Sequence, residues 1–314
     1  MEIVDHRGLS VAHIAASEIA ERPWARADTR IDLVRVTGPG AEYWDALAAN
    51  GFLRKPNMLT WMAELGESED EFLESRLSPK RGRFIRRCRR QAESELEITV
   101  HDSVRPELLD PFLELYRQQI EGMRHGVAIA VQQRERILSG EERYFAVSAW
   151  QNGELVGGCV VRECPEEGAV RLRFSAVSPQ WRARSLSRAL YFMAMREGRE
   201  RGHRWVTLGD DANLYGHVVK AGLIDFKAGM GFQCLPSQDF HDPAGVDQAD
   251  LLLDLGRLDD PVVVFGYTSS APADRSLRAC VLSGPSTSLR PFELPFLDAP
   301  VHIGSGVPAG ATAP

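Results

Sequence analysis

The 314-residue sequence contains no run of eighteen apolar residues, the length at which a helix can cross a bilayer. Its opening, MEIVDHRGLS, lacks the basic start and apolar core of a secretory signal. Both absences point to a cytoplasmic protein without a membrane partner. The five cysteines, Cys88, Cys159, Cys164, Cys234 and Cys280, form no C-x-x-C pair and have no histidine at metal spacing. Neither a disulfide framework nor a metal site is expected, and Cys159 and Cys164 read as ordinary thiols. No internal repeat is apparent, and no Ser-His-Asp or Cys-His constellation is recognisable. A covalent intermediate is therefore not favoured over direct attack in a ternary complex.

What is present is a soluble globular composition, 44% hydrophobic and 26% charged, in a chain long enough for one large or two ordinary domains. The net charge of −7 argues against a general nucleic-acid binder. Its distribution is uneven. Residues 1–78 carry 8 basic and 14 acidic side chains, residues 79–234 carry 25 and 20, and residues 235–314 carry 4 and 10. Only the centre is basic.

The stretch from Gly168 to Cys234 organises the chain. Val170, Leu172, Phe174 and Ala176 alternate with Arg171, Arg173 and Ser175, the period of a half-buried strand that Pro179 stops. From Ser185 to Arg201 the apolar residues Leu186, Ala189, Leu190, Met193 and Ala194 recur at three and four, which predicts an amphipathic helix ended by Gly202. Trp205 to Leu208 reads as a second strand, so the unit is βαβ-like, with a turn at a helix N-terminus suited to an anion.

Upstream, Tyr144–Trp150 and Glu154–Arg162 predict a hairpin around Asn152-Gly153. Pro106–Gln119 predicts a helix with Leu108, Leu109, Phe112, Leu115 and Tyr116 inward, and Glu97–Val100 a short strand. Seven basic residues with no acid among them fill the eleven positions Lys80 to Arg90. On a helix, Arg83, Arg86, Arg87 and Arg90 share one face and Phe84, Ile85 and Cys88 another. A solvated charged face is the plain account. An anion that relieves the repulsion between like charges four apart is the other.

The N-terminal residues predict a short helix from Ser10 to Glu21, a strand from Ile31 to Val36 and a helix from Ala41 to Ala49. Asn57–Leu65 is an apolar segment and Glu67–Leu77 a helix. Beyond Gln233, the segments Ala249–Leu255, Val262–Tyr267, Ala279–Leu282 and Phe292–Leu297 suggest a β-rich tail, and the Gly, Ala and Pro-rich end reads as disordered.

At the turn, Arg182-Ala183-Arg184-Ser185-Leu186-Ser187, with the order of elements around it, resembles the GNAT acyltransferase superfamily, whose signature there is Gln/Arg-x-x-Gly-x-Gly/Ala. Gly222-Leu223-Ile224-Asp225-Phe226-Lys227, followed by Gly231-Phe232, is similar to the Phe-Lys segment of the Fem-like branch, which takes amino acids from aminoacyl-tRNA. The resemblance covers roughly residues 80 to 235. It implies an α/β (α+β) fold with a GNAT-like mixed sheet and flanking helices, here with an incomplete N-terminal half and a β-rich C-terminal extension. The boundaries read as 1–78, a core at 79–240, an extension at 241–302 and a tail at 303–314.

Where the superfamily has glycines, this chain has Ser185 and Ser187, and glycine is what lets a backbone approach a pyrophosphate closely. The resemblance implies an amide-forming acyltransferase that binds no cofactor tightly and draws an aminoacyl group from aminoacyl-tRNA for a small-molecule amine. An acetyl-CoA or acyl-CoA donor is the alternative, and an inactive GNAT-like binding module a second. In these readings Arg182, Arg184, Ser185 and Ser187 hold the carrier, together with Arg83, Arg86, Arg87 and Arg90. Lys227, at the matching lysine, donates to the acyl carbonyl or to the terminal phosphate of the tRNA, unless it is a surface lysine snorkelling past Phe226.

Asp210 and Asp211 end the second strand, where ligands of open α/β sheets gather, although Asp211-Ala212-Asn213 also fits an Asx-turn. Tyr215 and His217 are acid–base candidates on the loop that follows, with a structural histidine as the plainer account.

Overall fold

The computed structural model describes residues 1–242 and 245–304. In chain order the strands are β1 (Glu2–His6), β2 (Leu9–His13), β3 (Leu33–Thr37), β4 (Leu53–Pro56), β5 (Met58–Glu64), β6 (Glu97–His101), β7 (Tyr144–Gln151), β8 (Glu154–Cys164), β9 (Ala169–Val177), β10 (Trp205–Ala212), β11 (Gln233–Pro236), β12 (Asp247–Leu252), β13 (Val262–Tyr267), β14 (Leu277–Leu282) and β15 (Asp298–Ile303). The helices are α1 (Trp44–Ala49), α2 (Glu69–Arg76), α3 (Pro79–Glu95), α4 (Pro106–Glu121), α5 (Ile129–Gln132), α6 (Arg134–Leu138), α7 (Pro179–Ala183), α8 (Leu186–Glu200) and α9 (Gly222–Ala228).

The chain forms two compact units. One holds Met1–Thr60, Asp210–Phe226 and the chain from Cys234 onward, and the other holds Trp61–Gly209 and Lys227–Gln233.

The second unit is built on the mixed sheet order β5-β10-β9-β8-β7-β6. Asn152 and Gly153 both take positive φ, 53° and 82°, the demand of the two-residue hairpin turn between β7 and β8. Helices lie on both faces because two neighbouring glycines of β8 leave room for them. A Cβ on Gly157 would meet Leu186 and Leu190 of α8 at 2.9 and 3.2 Å, and one on Gly158 would meet Phe112 of α4 at 2.8 Å. The α4 side buries Leu108, Leu109, Phe112, Leu113 and Tyr116 against Val160, Phe174 and Ala176. Each fully buried side chain of this size contributes about 1.5–3 kcal/mol. On the α8 side, α3 packs along α8 through its buried Gly82, Ile85, Cys88 and Ala92.

The first unit carries a five-stranded sheet, β1-β2-β3-β12-β4, and a three-stranded one, β13-β14-β15. β12 enters between β3 and β4 and pairs antiparallel with both. The N-terminal strands thus find their missing partner some two hundred residues downstream, and Val34, Val36 and Ala249 share a core with Trp44 and Phe52.

Three expectations are corrected. The helix predicted from Ser10 to Glu21 is instead β2, paired with β1, followed by a 3-10 turn over Ala16–Glu21. Leu9, Val11 and Ala12 are buried while Ser10 and His13 are only half-buried, and pairing with both β1 and β3 prevails over the helical spacing. The strand predicted over Phe292–Leu297 is a 3-10 turn at Arg290–Phe292, where Pro291 removes a ladder donor, and the strand begins at Asp298. Phe84 does not share the buried face of Ile85 and Cys88. It is half-buried, and its ring carries the guanidinium groups of Arg87 and Arg188 at 5.4 and 5.7 Å. The tail expected to be disordered lies, from residue 305, outside the described residues.

Candidate active site

β9 and β10 run parallel, yet their register lasts only three residues, Ala169–Arg171 against Trp205–Thr207. Gly209 sits in β10 at a φ of 75°, with its N–H donated to Oγ1 of Thr207 at 3.0 Å. A glycine in this conformation within a strand marks a bulge that turns the chain off its ladder. β9 meanwhile stays paired with β8 to Val177. The far half of β9 therefore has one edge that no strand covers among the described residues, in the middle of a sheet.

That strand leads into α7 and then into the N-terminus of α8, where backbone N–H groups and the positive end of the helix dipole favour an anion. Ser185, the residue before the helix, takes φ 63°. This is the left-handed conformation that glycine adopts without strain, and it costs a serine about 1–2 kcal/mol. Ser185 thus reproduces the glycine turn's backbone while adding a side chain to it. Ser187 is half-buried in the first turn.

Arginines surround this end. Arg184 pairs with Glu95 and lies 4.1 Å over the Trp181 ring, and Arg182 donates to the carbonyl of Val177 at 3.2 Å. On α3, Arg86 is paired with Asp70 at 2.7 Å and Arg89 with Glu69. Arg83, Arg87 and Arg90 are exposed and form no ion pair among the described residues. The face predicted for four arginines therefore divides, with Arg86 turned to an acid and three left to solvent. Burial pushes the Cys88 thiol up even with Arg188 and Arg87 nearby, which marks it as an inert core thiol.

Beside the open edge stands Tyr191 of α8, within hydrogen-bonding reach of Ser175. Burial raises its phenol well above the ordinary value. It stays protonated across the physiological range and can act as a donor. Lys227 is 7% exposed, with Nζ 5.6 Å from the centre of the Trp61 ring. It is a buried lysine over an aromatic face rather than one snorkelling at the surface.

The other predicted residues belong to the first unit. Oδ1 of Asp210 accepts from Thr60 Oγ1 at 2.5 Å and lies 2.8 Å from Nε2 of His241. Thr60 and His241 were not legible as partners. One is 150 residues from Asp210 and the other 31, and only the fold joins them. Asp211 accepts from the Tyr215 hydroxyl at 2.9 Å. Tyr215 is fully buried and tilted against Phe265 at 5.4 Å, and His217 is buried with Nε2 3.0 Å from the carbonyl of Arg7. Asn213 does not close a local Asx-turn. It bonds the carbonyls of Pro56 and Phe265 and the N–H of Phe265 at 2.7–2.9 Å.

Among the described residues no group of three metal-ligating side chains occurs, the five cysteines are buried and form no disulfide, and no helix is long and apolar enough to cross a membrane.

Two parallel strands part beside a helix N-terminus, and one of them leads into that helix. Residues 103–216, a little over a third of the chain, match the model of the acetyltransferase (GNAT) family. Among solved structures the chain is similar to FemX, with a TM-score of 0.44, 14% identity and coverage of 76% of this chain and 80% of that one. It is also similar to L-PGS from Bacillus licheniformis (0.43, 14%, 76% and 77%) and to a tandem GNAT protein from the clavulanic acid biosynthesis pathway (0.39, 16%, 74% and 67%). No curated protein matches the chain.

Proposed function

We propose that the protein forms an amide by moving an aminoacyl group from aminoacyl-tRNA to a small-molecule amine. The observation that carries this reading is the row of exposed, acid-free arginines on α3, packed along α8 beside its N-terminus. Arg83, Arg87 and Arg90 extend over seven residues, roughly 10 Å at the helical rise, which is longer than one pyrophosphate and suits successive phosphates of a nucleic-acid strand. Phe84, under Arg87 and Arg188, offers a ring on which a base can stack.

In the reaction the amine nitrogen attacks the ester carbonyl. The C–N bond forms, the ester C–O bond breaks, and the departing ribose hydroxyl takes up a proton. Lys227 is assigned to the carbonyl oxygen or the terminal phosphate, and Tyr191 is a protonated phenol able to supply the leaving oxygen. The amine gives up its proton to water, and Asp210, held by Thr60 and His241 in the first unit, is assigned no step. Arg184, Ser185 and Ser187 frame the carrier's end. No role in the transfer is needed for Asp211, Tyr215 or His217, whose groups are taken up in packing.

The test is transfer of radiolabelled amino acids from total charged tRNA to a mixture of small amines. Ribonuclease pre-treatment is expected to abolish product. Product that survives ribonuclease, or forms from acetyl-CoA alone, overturns the reading in favour of an acyl-CoA donor.

A further inference from the structure

The uncovered edge of β9 is filled by the protein itself. Ser178 N–H bonds the carbonyl of Val156 across to β8, so by the alternation of an antiparallel ladder Ser175 and Val177 turn their backbone groups to the opposite, open edge. There the half-buried Gln119 of α4 lays its carboxamide along the strand. Its Nε2 donates to the carbonyl of Ser175 at 3.3 Å, and its Oε1 accepts from the N–H of Val177 at 3.2 Å. One donor and one acceptor, meeting groups two residues apart, are what the N–H and C=O of one residue in a neighbouring parallel strand would present. Arg182 fixes the arrangement, with Nη2 3.1 Å from Gln119 Oε1 and 3.2 Å from the Val177 carbonyl.

We propose that Gln119, latched by Arg182, is a specificity-determining residue that closes this edge to donors carrying an extended amide chain. The inference rests on the reading that the parted strands hold the acyl donor. The arm of coenzyme A is such a chain, with two amides in extended conformation, and to pair with β9 it must displace both bonds of Gln119. An aminoacyl ester on a ribose has no amide arm and loses nothing by the closure. The residues present therefore do not fit a coenzyme A arm along β9. Arg182, expected from sequence to grip the carrier's phosphates, acts instead on the side chain that guards the strand.

The experiment is calorimetric titration of pantetheine into the full chain, wild type and Gln119→Ala, with hydrogen exchange of the Val177 amide followed by NMR. Gln119→Ala is expected to bind pantetheine about tenfold more tightly, the worth of two neutral hydrogen bonds. Its Val177 amide should exchange fast alone and become protected when pantetheine is added. Gln119→Glu keeps the acceptor and loses the donor, and should fall between the two. It also serves if the alanine variant folds poorly. Arg182→Ala should move affinity the same way by less. Equal affinity in wild type and Gln119→Ala overturns the latch, as does a Val177 amide that exchanges fast in the wild type. A failed tRNA transfer assay would remove the proposed function and leave this comparison of affinities intact, so the two failures are distinguishable.

Discussion

Two clusters of basic side chains, one in each unit, are used in opposite ways. In the first, Arg35 grips Asp250 with two bonds of 2.7 and 2.8 Å while Lys55 approaches the same carboxylate at 3.3 Å, and Lys55 and Asp250 are each only 3% exposed. Arg54, 5% exposed, lies between the Trp44 and Tyr267 rings at 5.1 and 4.1 Å, donates to Asp247 and holds the carbonyls of Ala271, Pro272 and Asp274. In the second, Arg83, Arg87 and Arg90 are exposed and form no ion pair among the described residues. Buried guanidinium groups paired with acids hold segments of the fold together, whereas exposed ones without an acid are free of that duty and open to a ligand.

The sharpest way to break the comparison is Asp250→Asn. It leaves two buried cations sharing a neutral amide, and loss of one partner of a buried pair costs roughly 3–5 kcal/mol. Urea unfolding should show that loss. A change below about 1 kcal/mol would mean that the cluster is wetter than its burial suggests.

Acid acts on the same group with a smaller effect. Burial alone would raise the Asp250 carboxyl, but Lys55 and Arg35 outweigh it and hold it down to about 2. A carboxyl with a folded pKa below its unfolded one stabilises fully above the unfolded value, near 3.9, and loses that contribution as pH falls towards the folded one. Roughly 2–3 kcal/mol should drain away between about pH 5 and pH 2. In Asp250→Asn this part of the acid dependence should be missing, and an unchanged slope in the variant would assign it elsewhere.

How legible each region was in the sequence follows from the range of its contacts. The β7–β8 hairpin, β9 and α8 carry their periodicity within a dozen residues and were readable to within two residues at most ends. The insertion of β12 between β3 and β4 is set by pairing across some two hundred residues, and no local pattern announces it. At the site, the turn and its arginines were visible as residue types, but their division was not, because Asp70 and Glu69 answer Arg86 and Arg89 from the preceding helix. Gln119 did leave a signal. It continues the inward stripe of Phe112 and Tyr116 on α4, a polar residue where the helix period calls for an apolar one, and such a residue needs a buried partner.

The third prediction has the smallest effect on stability and the largest on partners. Replacing Arg83, Arg87 and Arg90 together by alanine removes charges that support no ion pair among the described residues, and alanine is the better helix former. The urea midpoint should therefore stay where it is, in contrast to Asp250→Asn. Affinity for tRNA should fall at low salt. The slope of log affinity against log salt should also flatten by about 2, since each lost contact with a single-stranded phosphate is worth roughly 0.7 in that slope. If the midpoint drops instead while the slope holds, the row on α3 serves the fold as the buried arginines do, and the difference between the units disappears.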